Sequence, residues 1–304
     1  MEIISVGSSS SGNSYIIKVN NKAIVLDAGL SCIKITRALE ASDMDVSDVE
    51  SILITHEHVD HVKSVRTLVR KCQNATVYVS HGTYENSNCF NDIDENRICF
   101  IGAGGECPKD DFIIRAFPLN HDAAEPIGFS VIHNDEKLSV VTDTGIVTED
   151  IFEEIKDADT LVLEANHDED LLMYGSYPYR IKLRIKSDEG HLSNRAAGEL
   201  LAELLNYRNA NAENTGNTGG TDKSASDADE DGSANIIETE SKSQASPAPA
   251  SNPLAVMLSH LSFHNNAPFR ARSTIEDILT DAGFKRDVHY TLTIAAKDEL
   301  TVFP

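Results

Sequence analysis

No Cys-x-x-Cys pair occurs in this chain: its five cysteines, Cys32, Cys72, Cys89, Cys99 and Cys107, are scattered and odd in number. That spacing argues against a thiolate zinc site and a disulfide framework, and it suits a reducing cytoplasm. No apolar run is long enough to cross a bilayer, and Met1 leads straight into the strand-like Ile3-Ile4 without a basic stretch or an apolar leader. A soluble, cytoplasmic protein with no membrane partner is expected. Basic residues are scarce: 26 Lys and Arg stand against 49 Asp and Glu, a formal net charge of −23. Taken globally, this argues against a nucleic-acid partner, because phosphate binding draws much of its affinity from Lys and Arg. The charge is spread unevenly, however. Residues 209–252 hold eight acidic and two basic residues, so −6 of the total lies in a tract almost without large apolar side chains. Such a tract cannot bury enough surface to offset its ordering entropy. It is expected to be a disordered acidic insertion within one domain built from residues 1–208 and 253–304. Elsewhere Arg180, Lys182, Arg184 and Lys186 form a basic run, and Lys63, Arg66, Arg70 and Lys71 form another cluster. Each reads equally well as a solvated face.

Strand-like and amphipathic segments mix through the rest of the chain, which places it in the α/β (α+β) class. Alternation in Tyr15–Val19 and Ala23–Leu26 around Asn20-Asn21 predicts a hairpin, and further strands are expected over 52–54, 77–79, 98–101, 112–117, 128–132, 138–142, 161–163, 255–258 and 290–295. Apolar residues at helical spacing predict helices over 33–40, 61–71, 151–156, 194–207 and 274–281.

The densest chemistry follows Ile52-Leu53-Ile54, where Thr55 to His61 reads Thr-His-Glu-His-Val-Asp-His. His56 and His58 leave the strand in one turn, and Asp60 and His61 open the amphipathic stretch after it. Four ligands so spaced can be shared between two adjacent cations rather than crowding one. The same placement recurs: Asp27, His121, Asp143, Glu164 and His260 each come just after a short apolar segment. If those strands lie side by side, their ends form one rim and the polar side chains meet there. Two cations about 3.5 to 4 Å apart can clamp the attacking and departing oxygens of an in-line displacement, a demand that phosphodiesters fit. The leaving alkoxide needs a proton, for which His191 is the candidate donor with Glu164 holding its tautomer.

These residues resemble the metallo-β-lactamase fold, a four-layer αβ/βα sandwich of two mixed sheets flanked by helices. Its five motifs stand in order as Leu-Asp27-Ala-Gly, the His56/His58/Asp60/His61 loop, His121, Thr-Asp143-Thr-Gly and Leu-Ser-His260. The resemblance implies His56, His58 and His121 on one metal, Asp60, His61 and His260 on the other, Asp143 between them, and Asp27 behind a ligand or loop backbone. Within that fold the chain is similar to the YycJ (WalJ) group of exonuclease-like proteins, through Ser8–Ser14 (Ser-Ser-Ser-Ser-Gly-Asn-Ser), His121–Gly128, Leu163–Asp168, Ser187–Ser193 and His260–Ser262. The Glu164/His191 pair resembles the dyad of RNase Z-type phosphodiesterases.

The resemblance implies a dinuclear phosphodiesterase, foremost a 5′→3′ exonuclease on DNA in repair or replication-associated processing, with Asp60, Glu164 and His191 catalytic. A small-molecule phosphodiesterase on the same site is the alternative, and a metal-bound regulator without catalysis a third reading. The His/Asp ligands suit zinc, manganese or iron. Arg180, Lys182, Arg184 and His167 are the expected substrate contacts, with Tyr174, Tyr177 and Tyr179 available for stacking.

Overall fold

The computed structural model describes residues 1–216 and 252–303. Most of its strands are buried on both faces, the pattern of sheets covered on two sides. One sheet contains β1 (Glu2–Gly7), β2 (Ser14–Val19), β3 (Lys22–Leu26), β4 (Val49–Leu53), β5 (Thr76–Val79) and β6 (Ile98–Phe100). The other contains β7 (Glu106–Pro108), β8 (Ile113–Pro118), β9 (Ile127–His133), β10 (Glu136–Val141), β11 (Thr160–Glu164), β12 (Leu254–Ser259) and β13 (Tyr290–Ile294), while β14 (Thr301–Phe303) returns to pair with β1. The expected hairpin is β2 with β3, and its turn uses Asn20 at φ 55°, a left-handed conformation that Asn tolerates.

α1 (Cys32–Ala41), α2 (Val59–Val62), α3 (Val65–Lys71) and α4 (His81–Glu85) belong to the first half. α5 (Glu149–Ile155), α6 (Glu169–Tyr174), α7 (Tyr179–Ile185), α8 (Asn194–Gly216) and α9 (Pro268–Asp281) belong to the second. Tyr15, Ile24, Leu26 and Tyr78 of the first sheet meet Ile114, Phe129, Val140 and Met257 of the second in a shared interior. The other face of the first sheet packs Val25, Ile52 and Val77 on Ile35, Leu39, Leu68 and Val69 of α1 and α3. The other face of the second packs Leu161, Leu163, Val256 and Leu258 on Leu201, Leu204, Ile275 and Leu279 of α8 and α9. The layers therefore run helix, sheet, sheet, helix, as expected, and each fully buried Leu or Ile contributes about 1.5–3 kcal/mol.

β3 to β6 run parallel, as do β10 to β13. Parallel neighbours need crossovers, the helices supply them, and the carboxyl ends of these strands line up. Asp27 follows β3, His56 lies just beyond β4, Asp143 just beyond β10, Glu164 ends β11, and His260 follows β12. His121 arrives from the connection between β8 and β9.

The predicted helix over 61–71 is broken into α2 and α3, because the Ser64 N–H leaves the helical ladder to donate to the Ala28 carbonyl at 2.8 Å, while its hydroxyl lies 2.6 Å from the Leu30 carbonyl. The helix expected to end at residue 207 continues to Gly216, into the tract read as an insertion. The remainder of that tract, 217–251, lies outside the described residues. Among the described residues no helix is long and apolar enough to cross a membrane.

Candidate metal centre

The exit from β4 sets the first four side chains. His58 is the N-cap of α2, in extended backbone at φ −60°, so His56 and His58 sit before the helix while Asp60 and His61 lie in it. His56 and His61 are fully buried. Ligand atoms of His56, His58 and His121 lie within 4.8 Å of one another, and so do those of Asp60, His61 and His260. Asp143 stands between the two sets: one carboxylate oxygen is 3.2 Å from His61 Nε2, and the other is 3.9 Å from His121 Nε2 and 3.2 Å from His260 Nδ1. All seven side chains proposed from the sequence as ligands are thus gathered in one cluster.

A surrounding shell fixes the ring orientations. His61 Nδ1 bonds Asp27 Oδ2 at 2.7 Å, His121 Nδ1 bonds the Gly190 carbonyl at 3.0 Å, and His260 Nδ1 bonds Glu164 Oε1 at 2.8 Å. Each of these bonds turns Nε2 toward the centre. Asp27 also accepts from the Thr55 backbone at 3.0 Å, tying the loop that carries the histidines to β3. Asp27, Asp143 and His260 all adopt left-handed backbone, at φ 57°, 58° and 53°. Three strand exits therefore bend the same way to turn a side chain inward, each at a cost that non-glycine residues seldom bear.

The residues fit divalent cations. His56 Nε2 and His260 Nε2 are buried without a hydrogen-bond partner, a costly state for a polar atom that a metal ligand would resolve. Asp27, Asp143 and Glu164 are at most 2% exposed and share one cluster, and packed carboxylates of this kind require compensating positive charge. Burial, and then His61, pushes the His56 imidazole well below its usual range, and burial lowers His121, so both are neutral nitrogen donors. Burial also opposes charge on His61, yet Asp143 and Asp27 outweigh it and raise its pKa; His260, where Asp143, Asp60 and Glu164 together outweigh burial, is pushed up to about 10. Nitrogen and carboxylate donors together suit zinc, manganese or iron.

Residues 22–208 match the model of the Beta-lactamase superfamily domain. The chain belongs to the metallo-β-lactamase superfamily. It is similar to the protein named Exodeoxyribonuclease WalJ of Streptococcus pneumoniae, 36% identical over 206 residues that cover 67% of this chain and 76% of that one. It is also similar to the protein named Exodeoxyribonuclease YycJ of Bacillus anthracis, 36% identical over 202 residues covering 66% and 76%. The fold is shared with the metallo-β-lactamase fold protein YhfI of Bacillus subtilis, at a TM-score of 0.63 with 12% identity over 99% of this chain and 98% of that one.

In this member of the superfamily, Glu164 does more than its sequence position suggests. Its Oε1 bonds both His191 Nδ1 and His260 Nδ1 at 2.8 Å, while Oε2 accepts from the Thr144 and Leu192 backbone at 3.2 Å. His191 and His260 hold the Glu164 carboxyl below its usual range against the opposing effect of burial. His191 is the exposed member, with 15% of its side chain in solvent. It opens on a cleft of about 390 Å³ bordered by Ser10, Tyr177, Ile181, Arg184 and Ser262.

Two of the four expected substrate contacts are turned inward. Lys182 is nine-tenths buried, and its ammonium donates to the Met173 and Gly175 carbonyls at 2.8 and 2.7 Å, closing the end of α6. His167 is 2% exposed, beneath the short bridge to Ser193. Neither reaches a substrate in this arrangement. Arg184 borders the cleft but is paired in two hydrogen bonds with Asp122, at 2.5 and 2.9 Å. Arg180 is exposed on α7.

Burial depresses the His167 pKa to about 4 from an ordinary 6.5. The folded state favours the neutral ring, so the His167 share of stability is complete above pH 6.5 and is lost as pH falls toward 4, a loss of roughly 3 kcal/mol. In urea titrations with chelator present, His167→Gln is expected to lose that much less stability between pH 7.5 and pH 4.5 than wild type; parallel pH slopes would contradict it.

One participant went unrecognised in the sequence. Asn13 is fully buried, its Nδ2 lies 3.1 Å from His61 Nε2 and 3.5 Å from Asp60 Oδ2, and its Oδ1 accepts from Ser9 N at 3.0 Å. Ser8 Oγ accepts from His260 N at 2.7 Å. The Ser8–Ser14 motif, which in the sequence carried only a resemblance, is a clamp on the second ligand set. Gly29 completes it: a Cβ there would lie 1.5 Å from the Asp60 carbonyl oxygen. Gly29→Ala is expected to cost at least about 2 kcal/mol in urea unfolding and to lower metal content, read by elemental analysis, because Asp60 must move; an unaltered midpoint and metal content would refute this.

Proposed function

We propose that this chain is a metal-dependent exonuclease that shortens DNA from 5′ ends. The observation that carries the proposal is the 2.8 Å bond between Glu164 Oε1 and His191 Nδ1 at the wall of a cleft beside the cluster of His and Asp ligands. His56, His58 and His121 would hold one cation, Asp60, His61 and His260 a second, and Asp143 both. Bound there, two divalent ions supply Lewis acidity toward the phosphoryl oxygens and generate the nucleophile from water at neutral pH. The chain's own residues do the remaining work. Glu164 accepts from His191 Nδ1–H and aims Nε2 outward; the proton that passes to the departing 3′-oxygen is the one Nε2 carries when the ring is doubly protonated. Acyl transfer to water with a good leaving group has less need of such a donor, so the dyad favours phosphodiesters. The names of the two exodeoxyribonuclease relatives support DNA as the polymer.

A second reading, a phosphodiesterase of small substrates, is favoured by the inward turn of Lys182 and the pairing of Arg184 with Asp122, which reduce the free basic surface near the cleft. The deciding experiment is incubation of end-labelled, 5′-phosphorylated single-stranded and duplex DNA, and RNA, with purified protein and Mn²⁺ or Zn²⁺. Stepwise loss from the 5′ end supports the exonuclease. Intact polymers alongside metal-dependent hydrolysis of bis-p-nitrophenyl phosphate would establish the small-substrate reading instead.

A further inference from the structure

Phe263, three residues beyond His260, is 69% exposed. Its ring is nevertheless held on several sides. Lys297 Nζ lies 4.1 Å from the ring centroid, His264 meets the ring edge-on at 5.1 Å, and His264 is 5.7 Å from the Tyr177 ring. The three rings form a continuous row. At one end Tyr177 borders the His191 cleft; at the other Phe263 and Lys297 border a second cleft of about 390 Å³ backed by Leu261 and Ile294. Ser262 belongs to the walls of both, so the row bridges the two clefts beside the proposed proton donor.

Charge is the second observation. The chain carries 49 acidic residues, yet not one carboxylate lines either cleft, whose charged or titratable members are Tyr177, Arg184, His191 and Lys297. The groove between α5 and α8, by contrast, is bordered by Glu149, Glu153, Glu199 and Glu203. Exposed π-faces interleaved with cations, on the one carboxylate-free path leading from the dyad among these grooves, match unpaired bases on a phosphate backbone. Duplex DNA keeps its base faces stacked inside and offers such a row only its end.

We propose that Tyr177, His264, Phe263 and Lys297 form a stacking platform for the unpaired bases of single-stranded DNA next to the scissile phosphate, an inference that rests on the nuclease reading and specifies its substrate. Every base has a π-face, so binding here tolerates any sequence.

The test uses full-length protein and a short 5′-phosphorylated single strand carrying 2-aminopurine near the labelled end, in a His191→Ala background that holds cleavage down. Wild-type Phe263 quenches the fluorophore; Phe263→Ala relieves the quenching and weakens binding roughly 5- to 100-fold; Phe263→Tyr keeps the ring and retains both. Phe269→Ala, which removes a ring that is 70% exposed but outside the row, leaves affinity and quenching as they were. With His191 intact, Phe263→Ala raises KM for single-stranded DNA far more than for bis-p-nitrophenyl phosphate. If DNA is shortened but Phe263→Ala and Phe269→Ala behave alike, the platform is wrong and the nuclease reading stands. If wild type neither binds nor shortens any polymer while hydrolysing the small ester, the nuclease reading fails and the platform falls with it.

Discussion

Asp143→Asn is expected to abolish hydrolysis of DNA and of small esters together, by about 10³-fold or more, while the protein stays folded. The argument starts from the backbone. Asp143 sits at φ 58°, a conformation that Asn tolerates and Ala does not, so the substitution removes charge without disturbing the strand exit. What is lost is a carboxylate that stands between the two ligand sets, 3.2 Å from His61 Nε2 and 3.9 Å from His121 Nε2. Cations in such a site supply several kcal/mol of transition-state charge stabilisation, and each ~1.36 kcal/mol is tenfold in rate. Elemental analysis after dialysis, run beside circular dichroism, checks the cause: metal content falls while the spectrum stays native. Full metal content with full activity would remove Asp143 from the centre.

His191→Ala is the second large effect, and its leaving-group dependence is the informative part. On DNA, where the departing alkoxide must be protonated, kcat should fall roughly 10²- to 10⁴-fold. On bis-p-nitrophenyl phosphate, whose leaving group departs without help, the loss should be small, and bound metal should be unchanged. Glu164→Gln separates the two duties of that carboxylate. Because Oε1 also holds His260, this variant should lose the DNA-specific effect and, in addition, about 10- to 100-fold in metal affinity, the usual cost of removing a ligand's partner. Equal losses of His191→Ala on both substrates would show that His191 serves the site structurally and donates no proton.

The centre was legible because its chemistry is local in sequence at one loop and positional elsewhere. A short apolar run followed by Asp, His or Glu marks a strand that ends at a rim, and parallel pairing then aligns the ends of β3, β4, β10, β11 and β12. The mixture of strands and helices followed from hydrophobic periodicity, and the four-layer sandwich from the resemblance that the ordered motifs carry. What escaped depends on contacts across long separations. Asn13 reaches Asp60 across 47 positions, and Lys182 turns inward because α6 ends nearby with free carbonyls. A basic run reads as surface until a neighbour supplies acceptors. α7 was missed for a related reason: Ile181 and Leu183 remain 38% and 49% exposed, so its apolar residues form no one-sided stripe. The split of 61–71 into α2 and α3 likewise turns on the Ser64 N–H donating to the Ala28 carbonyl, 36 residues away.

The left-handed backbone at Asp27, Asp143 and His260 also sets where this centre can be re-engineered. Exchanging a ligand to favour a different metal normally means testing Cys, Glu or Gln in its place, and all three disfavour that conformation more than Asn or Gly does. Positions 56, 58 and 121 carry no such restriction, their φ angles being negative. Asp60 and His61, in helical backbone, share that freedom, so a directed change of metal preference should succeed first at these five positions, with Asp143 and His260 as the fixed reference around which selectivity is tuned.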